Sequence, residues 1–174
     1  RDPPVRIRSG PGWPAHTPDG TPSERRMRPY DVVYDAAMKH SDFVHLHNHS
    51  DYSLLDGASP IPAMVRRAAE LHMPALALTD HGAMFGAVEF YQEARKAGVK
   101  PIVGMEAYVT RGRIADRNPN DTAHHLVLLA RDERGFKNLM RLSSLAYLEG
   151  FYYKPRVDHA VLAAYGWPQN LGDD

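Results

Sequence analysis

The sequence contains no cysteine. That excludes a disulfide scaffold, a thiolate zinc site and a cysteine nucleophile within this chain. No apolar run approaches the ~18 residues of a membrane-spanning helix, so no segment is a candidate span. Net charge is also lacking, because 21 Lys and Arg balance 21 Asp and Glu. A uniformly basic nucleic-acid binder is thereby excluded, while a locally basic groove is not. What the chain does have is histidine, 10 residues in 174. The length suits one ordinary domain, or one domain with a tail. With 43% apolar and 24% charged residues the composition is globular.

Proline is concentrated at one end. Residues 1–29 hold seven of the 14 prolines (Pro3, Pro4, Pro11, Pro14, Pro18, Pro22 and Pro29) and almost no apolar periodicity. Such a segment lacks amide donors and buries too little apolar surface to offset ordering entropy. Residues 1–40 are therefore expected to be a flexible Pro- and Arg-rich extension. It has no apolar h-region of a secretory signal, and its arginines give only weak support to a transit peptide. The chain opens on Arg1, so a fragment or processed product is expected, with Met38 an alternative start.

From residue 41 strands and helices alternate. Phe43–His47 reads as a short strand. Ser59-Pro60 reads as an N-cap with proline at the first helical position. Ile61, Met64, Val65, Ala68 and Leu71 then follow at helical spacing, predicting a helix over 60–72. Residues 75–79 are continuously apolar, as in a strand buried on both faces. A second helix is predicted near 84–97, with Met84, Val88, Tyr91 and Ala94 on its apolar face and Gly98 at its end. A third strand covers 99–104, with a possible extension through 107–109. After a polar loop at 111–122, residues 125–130 read as a fourth strand. A helix over 133–149 presents Phe136, Leu139, Leu142, Leu145 and Leu148. The alternation predicts an α/β fold on a parallel sheet.

In such folds functional residues collect at the C-terminal ends of strands. Strand one ends in His47-Asn48-His49, and strand two in Asp80-His81-Gly82. Strand three leads to Glu106. Strand four opens with His124-His125, a strand start, where that rule fits less well. In an extended segment residues two apart share a face, so His47 and His49 can reach one metal, with His45 behind them. Each residue also has a plainer reading. A lone His-x-His pair is more often simply hydrogen-bonded than metal-ligating. Asp80-His81-Gly82 and Asp56-Gly57 are ordinary turns. Glu106 alone is a solvent-facing strand residue. Arg66-Arg67 and Arg95-Lys96 read as solvated helix faces, and His16, His40, His72 and His159 as surface or structural residues. Convergence of His and acid residues at four strands is what favours a metal site. Imidazole and carboxylate without thiolate suit Zn, Mn or Fe better than Ca. Paired metals ~3.5–4 Å apart, bridged by a carboxylate such as Glu106, are a standard device for hydrolysing phosphate esters.

Three stretches resemble the motifs of the PHP (polymerase and histidinol phosphatase) metal-dependent phosphoesterases. The first runs from His47-Asn48-His49 through Leu54-Leu55-Asp56-Gly57. The second is Leu78-Thr79-Asp80-His81-Gly82, and the third Gly104-Met105-Glu106-Ala107-Tyr108. The wording of Phe85-Gly86-Ala87-Val88-Glu89-Phe90-Tyr91 and of Ala146-Tyr147-Leu148-Glu149-Gly150-Phe151-Tyr152 is similar to the PHP domains of bacterial replicative DNA polymerase III alpha subunits. The resemblance covers residues 41–159.

The resemblance implies a distorted (β/α)7 barrel carrying up to three divalent metal ions (Zn, Mn or Mg) at one rim. It implies His47, His49, Asp56, His81, Glu106 and His125 as ligands, with Asp80 orienting His81. The family places a histidine ahead of the strand, which favours His125 over His124. No separate side-chain nucleophile is implied. The barrel is longer than this chain, and the family's Cys ligand and late Asp-x-His pair have no counterpart here. Residues 41–174 are thus expected to be a partial PHP domain, an N-terminal fragment of the alpha subunit. The implied activity in the complete protein is 3′–5′ exonuclease hydrolysis of a phosphodiester during DNA replication. The implied partners are DNA, a proofreading subunit and, through regions absent here, the sliding clamp; the implied location is cytoplasmic, without membrane. Two alternatives stay open: a non-catalytic structural or interaction module of the polymerase, and a stand-alone PHP phosphatase acting on a small phosphomonoester.

Overall fold

The computed structural model describes residues 40–54 and 56–166. The Pro-rich stretch expected to be flexible lies outside the described residues except for His40, as do residues 167–174.

Helix α1 spans Ile61–Glu70, with Pro60 at its N-cap and Pro62 in its first turn. The start lies one residue later than expected, but the reason for proline holds: the first turn has no use for its N–H. Ile61, Val65 and Ala68 face inward at i, i+4 and i+7. Strand β1, Ala75–Leu78, is buried at every position. Helix α2, Ala87–Lys96, begins three residues later than predicted and turns a different face inward. Ala87, Phe90 and Ala94 are buried, while Val88 is 64% exposed. Two apolar stripes compete on this helix, and the one bearing the large Phe90 ring wins because it removes more apolar area from water. The chain leaves α2 at Gly98, whose φ of +73° is the left-handed conformation that ends helices.

Strand β2 is one unbroken element, Lys100–Val109. Its first half pairs in parallel with β1, Ala75 opposite Lys100 through Leu78 opposite Val103. Strand β3, His124–Leu129, runs antiparallel to β2, from Gly104 opposite Leu129 to Val109 opposite His124. This corrects the expectation of an all-parallel sheet. A parallel neighbour needs a long crossover, usually a helix, and none is formed between β2 and β3. Helix α3, Glu133–Leu148, is capped by Asp132, whose carboxylate accepts from the Gly135 N–H. Its buried face is Leu139, Leu142 and Ala146, whereas Leu148 is 84% exposed. Leucines repeating strictly at i+3 lag the helical period by about 60° each and rotate off the face, and Ala146 at i+7 returns to it. A hairpin then follows: β4, Phe151–Tyr152, and β5, Lys154–Val157. β5 joins β2 in parallel at Tyr108 and Val109. Helix α4, His159–Tyr165, closes the described part.

The expected strand at 43–47 is not part of the ladder. It lies along β1, where the Ala77 N–H donates to the His45 carbonyl and the Thr79 N–H to that of Asn48, both at 2.9 Å. Acceptors three residues apart against donors two apart leave one residue too many for regular pairing, as in a bulge. The Asn48 side chain closes the gap by donating to the Ala77 carbonyl at 3.0 Å.

The result is a mixed α/β fold with β2 at the centre of its sheet. Side chains alternate along β2. Met105, Ala107 and Val109 face the core with Leu139, Leu142 and Ala146 of α3. Glu106 and Tyr108 therefore point to the opposite face. A second cluster joins α1, α2, β1 and the start of β2.

Candidate metal centre

Glu106 is the hub of that opposite face, with its side chain 3% exposed. Oε2 lies 2.5 Å from His47 Nε2 and 3.0 Å from His49 Nε2. Oε1 contacts His125 Nδ1 and lies 3.7 Å from His81 Nδ1. On the far side of His81, its Nε2 is 2.7 Å from Asp56 Oδ2. The donors form three overlapping groups, with donor atoms all within 4.8 Å of one another in each. The first is His47, His49 and Glu106; the second His49, Asp56 and His81; the third His81, Glu106 and His125. The six residues proposed as ligands thus stand at one place.

Different elements carry them there. The irregular segment beside β1 brings His47 and His49, whose rings meet edge to face at 5.0 Å. His81 follows β1 and bridges in parallel to Glu106, and its ring stacks on His49 at 4.1 Å. His125 sits near the start of β3. Because β3 is antiparallel, its start lies at the rim where β1 and β2 point, so the strand-end rule is satisfied after all. Its neighbour His124 faces the other side of the sheet, where Arg111 Nε donates to it at 2.9 Å.

Asp56 arrives on a loop that folds back on Ser50 and Ser53. A Cβ at Gly57 would lie 1.8 Å from the Ser50 carbonyl oxygen, so only glycine allows this closure. Buried Asp80 anchors the loop. Its carboxylate accepts from Ser50 N–H at 2.6 Å, Ser50 Oγ at 2.8 Å and Ser53 Oγ at 2.9 Å. The family resemblance implies that Asp80 orients the His81 ring. Its bonds go to the loop instead, and it reaches His81 only through Ser53 Oγ, which accepts from the His81 N–H. Ser50, Ser53 and Tyr108 are site residues to which the motifs alone assign no role. Both serines lie between His49 and Asp56, and Tyr108 follows Glu106 by the strand period of two. Tyr108 walls the site, stacked at 5.7 Å on His81 and edge-on at 4.9 Å to His125.

Burial opposes ionisation of Glu106, but hydrogen bonds from His47 and His125, with the charges of His81 and His125, outweigh it and lower its pKa. The hydrogen bond to His81 lowers that of Asp56. Burial, reinforced by Glu106, raises that of the Tyr108 phenol. Both carboxylates are thereby kept in the anionic form that ligates cations.

The donor set fits divalent metal. His49 Nδ1 and His81 Nδ1 are buried without a hydrogen-bond partner, and such atoms are rarely left so. A carboxylate ringed by four imidazoles, with no thiolate, suits Zn or Mn.

The family described as the PHP domain matches residues 45–170. The chain is 52% identical over 128 residues to the DNA polymerase III subunit alpha of Borreliella burgdorferi, covering 72% of this chain and 11% of that protein. It is 50% identical over 133 residues to the same subunit of Aquifex aeolicus, covering 72% and 12%. The chain thus spans about a tenth of the length of these relatives. Among solved structures, an amidohydrolase from Chromobacterium violaceum is similar over 59% of this chain and 34% of its own, with a TM-score of 0.42 and 28% identity.

Proposed function

The chain belongs to the PHP domain family, and on that premise we propose that it is the PHP region of a DNA polymerase III alpha subunit, acting as a metal-dependent phosphodiesterase on a 3′ DNA end. The observation that carries this is the convergence of His47, His49, His81 and His125 on buried Glu106, with Asp56 beyond His81. Relatives about half identical to it are replicative polymerase subunits. That supports DNA as substrate, and the proofreading subunit and sliding clamp as partners of the complete protein. It also supports a cytoplasmic location; no described helix is long and apolar enough to cross a membrane. The complete domain is proposed to be a distorted (β/α)7 barrel.

His47, His49, Asp56, His81, Glu106 and His125 would hold up to three cations, Zn, Mn or Mg. Bound there, such ions supply polarisation of a phosphoryl oxygen and water acidified toward neutral pH. The chain's own contribution is placement. Glu106 offers one oxygen to the His47–His49 side and the other to the His81–His125 side. Asp80 fixes the loop bearing Asp56. Tyr108 shields the imidazoles from water on one flank.

The test is degradation of 3′-labelled single-stranded DNA with Mn²⁺ or Zn²⁺, with metal content measured in parallel. Wild type should bind metal and shorten the DNA. His81→Ala should lose the cleavage, and His47→Ala with His49→Ala most of the metal. Equal trace activity in wild type and His81→Ala would assign the domain to a non-catalytic structural or interaction role. Turnover of a small phosphomonoester but not of DNA would assign it to a stand-alone phosphatase.

A further inference from the structure

Residues 151–157 read Phe-Tyr-Tyr-Lys-Pro-Arg-Val: three aromatics and two cations, without an acid. A two-stranded hairpin this short has marginal stability alone, yet this one is firmly mounted. β5 pairs with β2 at Tyr108 and Val109. The buried Arg156 guanidinium donates to the carbonyls of Gly150, Ile114 and Asp116 at 3.1, 3.1 and 2.9 Å. Pro155 packs where a Cβ on Gly82 (φ +60°) would lie 2.6 Å from its ring. The hairpin is thereby fixed against the loop that carries His81.

On this rigid mount two side chains serve the fold poorly. Tyr153 has φ +58°, a conformation suited to Gly or Asn, and it is 83% exposed. Its ring meets Tyr152 edge to face at 4.6 Å, and Tyr152 is itself backed by the Arg156 guanidinium at 5.2 Å. Lys154 extends the other way. Its Nζ lies 4.4 Å from the centre of the Tyr108 ring, the ring that contacts His81 and His125. A cation thus stands one side chain from the metal ligands, and the residue before it in the hairpin carries an exposed aromatic ring. Strained exposed residues persist where the surroundings hold them, and they cluster at functional sites.

We propose that the β4–β5 hairpin is the platform on which the metal centre receives a single-stranded DNA end, with Lys154 on a backbone phosphate and Tyr153 stacked on a base. This rests on the phosphodiesterase reading and adds the element that selects a polynucleotide. A small phosphomonoester would use the cation but has no use for an aromatic ledge leading away from the site. A cation with an adjacent exposed ring is how single strands are held without sequence preference.

The test measures binding of fluorescein-labelled oligothymidylate to the 174-residue chain by anisotropy in EDTA, across a salt series. Tyr153→Gly suits the backbone there, so its thermal midpoint should not fall below wild type. Its affinity should drop roughly 5- to 150-fold, the loss of one stacked base. Lys154→Gln should lower the slope of log K against log salt by about 0.7, one phosphate contact on a single strand. Lys96→Gln, on the distant end of α2, should change neither. The proposal is overturned if wild type does not bind the oligomer, or if Tyr153→Gly and Lys154→Gln bind as wild type does. Hydrolysis of bis(p-nitrophenyl) phosphate with Mn²⁺ separates the two readings. Turnover with hairpin-independent binding removes the platform and leaves the phosphodiesterase. Hairpin-dependent binding without turnover keeps the platform and removes the phosphodiesterase.

Discussion

Replacing Asp80 by alanine should damage both stability and metal binding, although Asp80 touches no proposed ligand side chain. The carboxylate is 2% exposed and accepts three hydrogen bonds, from the Ser50 N–H, Ser50 Oγ and Ser53 Oγ. A hydrogen bond to a charged acceptor contributes about 1.5–3 kcal/mol net. The substitution leaves three buried donors on one loop without their acceptor, and allowing for partial rehydration as the loop relaxes, the loss is about 3 kcal/mol. For a domain of this size that is a fall in thermal midpoint of about 6–12 °C. Asp80→Asn keeps the shape and one acceptor oxygen, so its loss should be smaller. Ser53→Ala removes one of the three bonds and also the acceptor of the His81 N–H. Combined with Asp80→Ala it should fall short of additivity by at least ~0.5 kcal/mol, because both act on one network. Freed from its anchor, the loop bearing Asp56 should hold metal about 10- to 100-fold less tightly. Urea denaturation followed by circular dichroism gives the first quantity and titration with Zn²⁺ or Mn²⁺ the second. Stability of Asp80→Ala within ~0.5 kcal/mol of wild type would refute the anchoring argument, as would unaltered metal affinity in a folded variant.

Three further outcomes follow from the packing and capping. Gly104→Ala would place a Cβ 2.5 Å from the Leu128 carbonyl oxygen and 2.9 Å from Thr79 Cγ2, so it should destabilise by about 1–3 kcal/mol in a urea melt. Leu142→Ala, at a fully buried position between α3 and β2, should cost about 2–5 kcal/mol by the same measurement. Asp132→Ala removes the N-cap of α3 and should cost about 1 kcal/mol near neutral pH. The Gly135 N–H lowers the Asp132 pKa in the folded state. Its stabilisation is therefore fully present above the unfolded pKa of about 4 and is lost as pH falls through the folded value. The gap between wild type and Asp132→Ala should narrow accordingly in melts taken at decreasing pH.

Much of the metal centre is legible in the sequence. His47, His49, Asp56, His81 and Glu106 lie in short local motifs; the βα alternation brings His81 and Glu106 to one rim, while Asp56 reads from its neighbours only as a turn and is marked as a ligand by the family resemblance. The direction of β3 is misread from the sequence, because the alternation elsewhere suggests a parallel strand although residues 110–123 carry no helical pattern for a crossover. His125 looks misplaced on the sequence for that reason alone. The inward face of α2 is not legible, because residues 84, 88, 91 and 94 and residues 87, 90 and 94 are both helical stripes. Only the space left by α1 and β1 decides that Phe90 goes inside.

The sequence by itself determined the helix and strand types between residues 60 and 149 and the donor chemistry, since periodicity, capping and residue type act within a few residues of chain. The tertiary structure alone decided which partners those residues meet. Asp80 binds the 50–53 loop rather than the adjacent imidazole, Tyr108 is wedged between two histidines, and Lys154 is laid over that tyrosine. Each pairing joins positions that are distant along the chain or fixed by a strand register. Such pairings depend on how β2, β3 and β5 lie side by side, which local propensity does not encode.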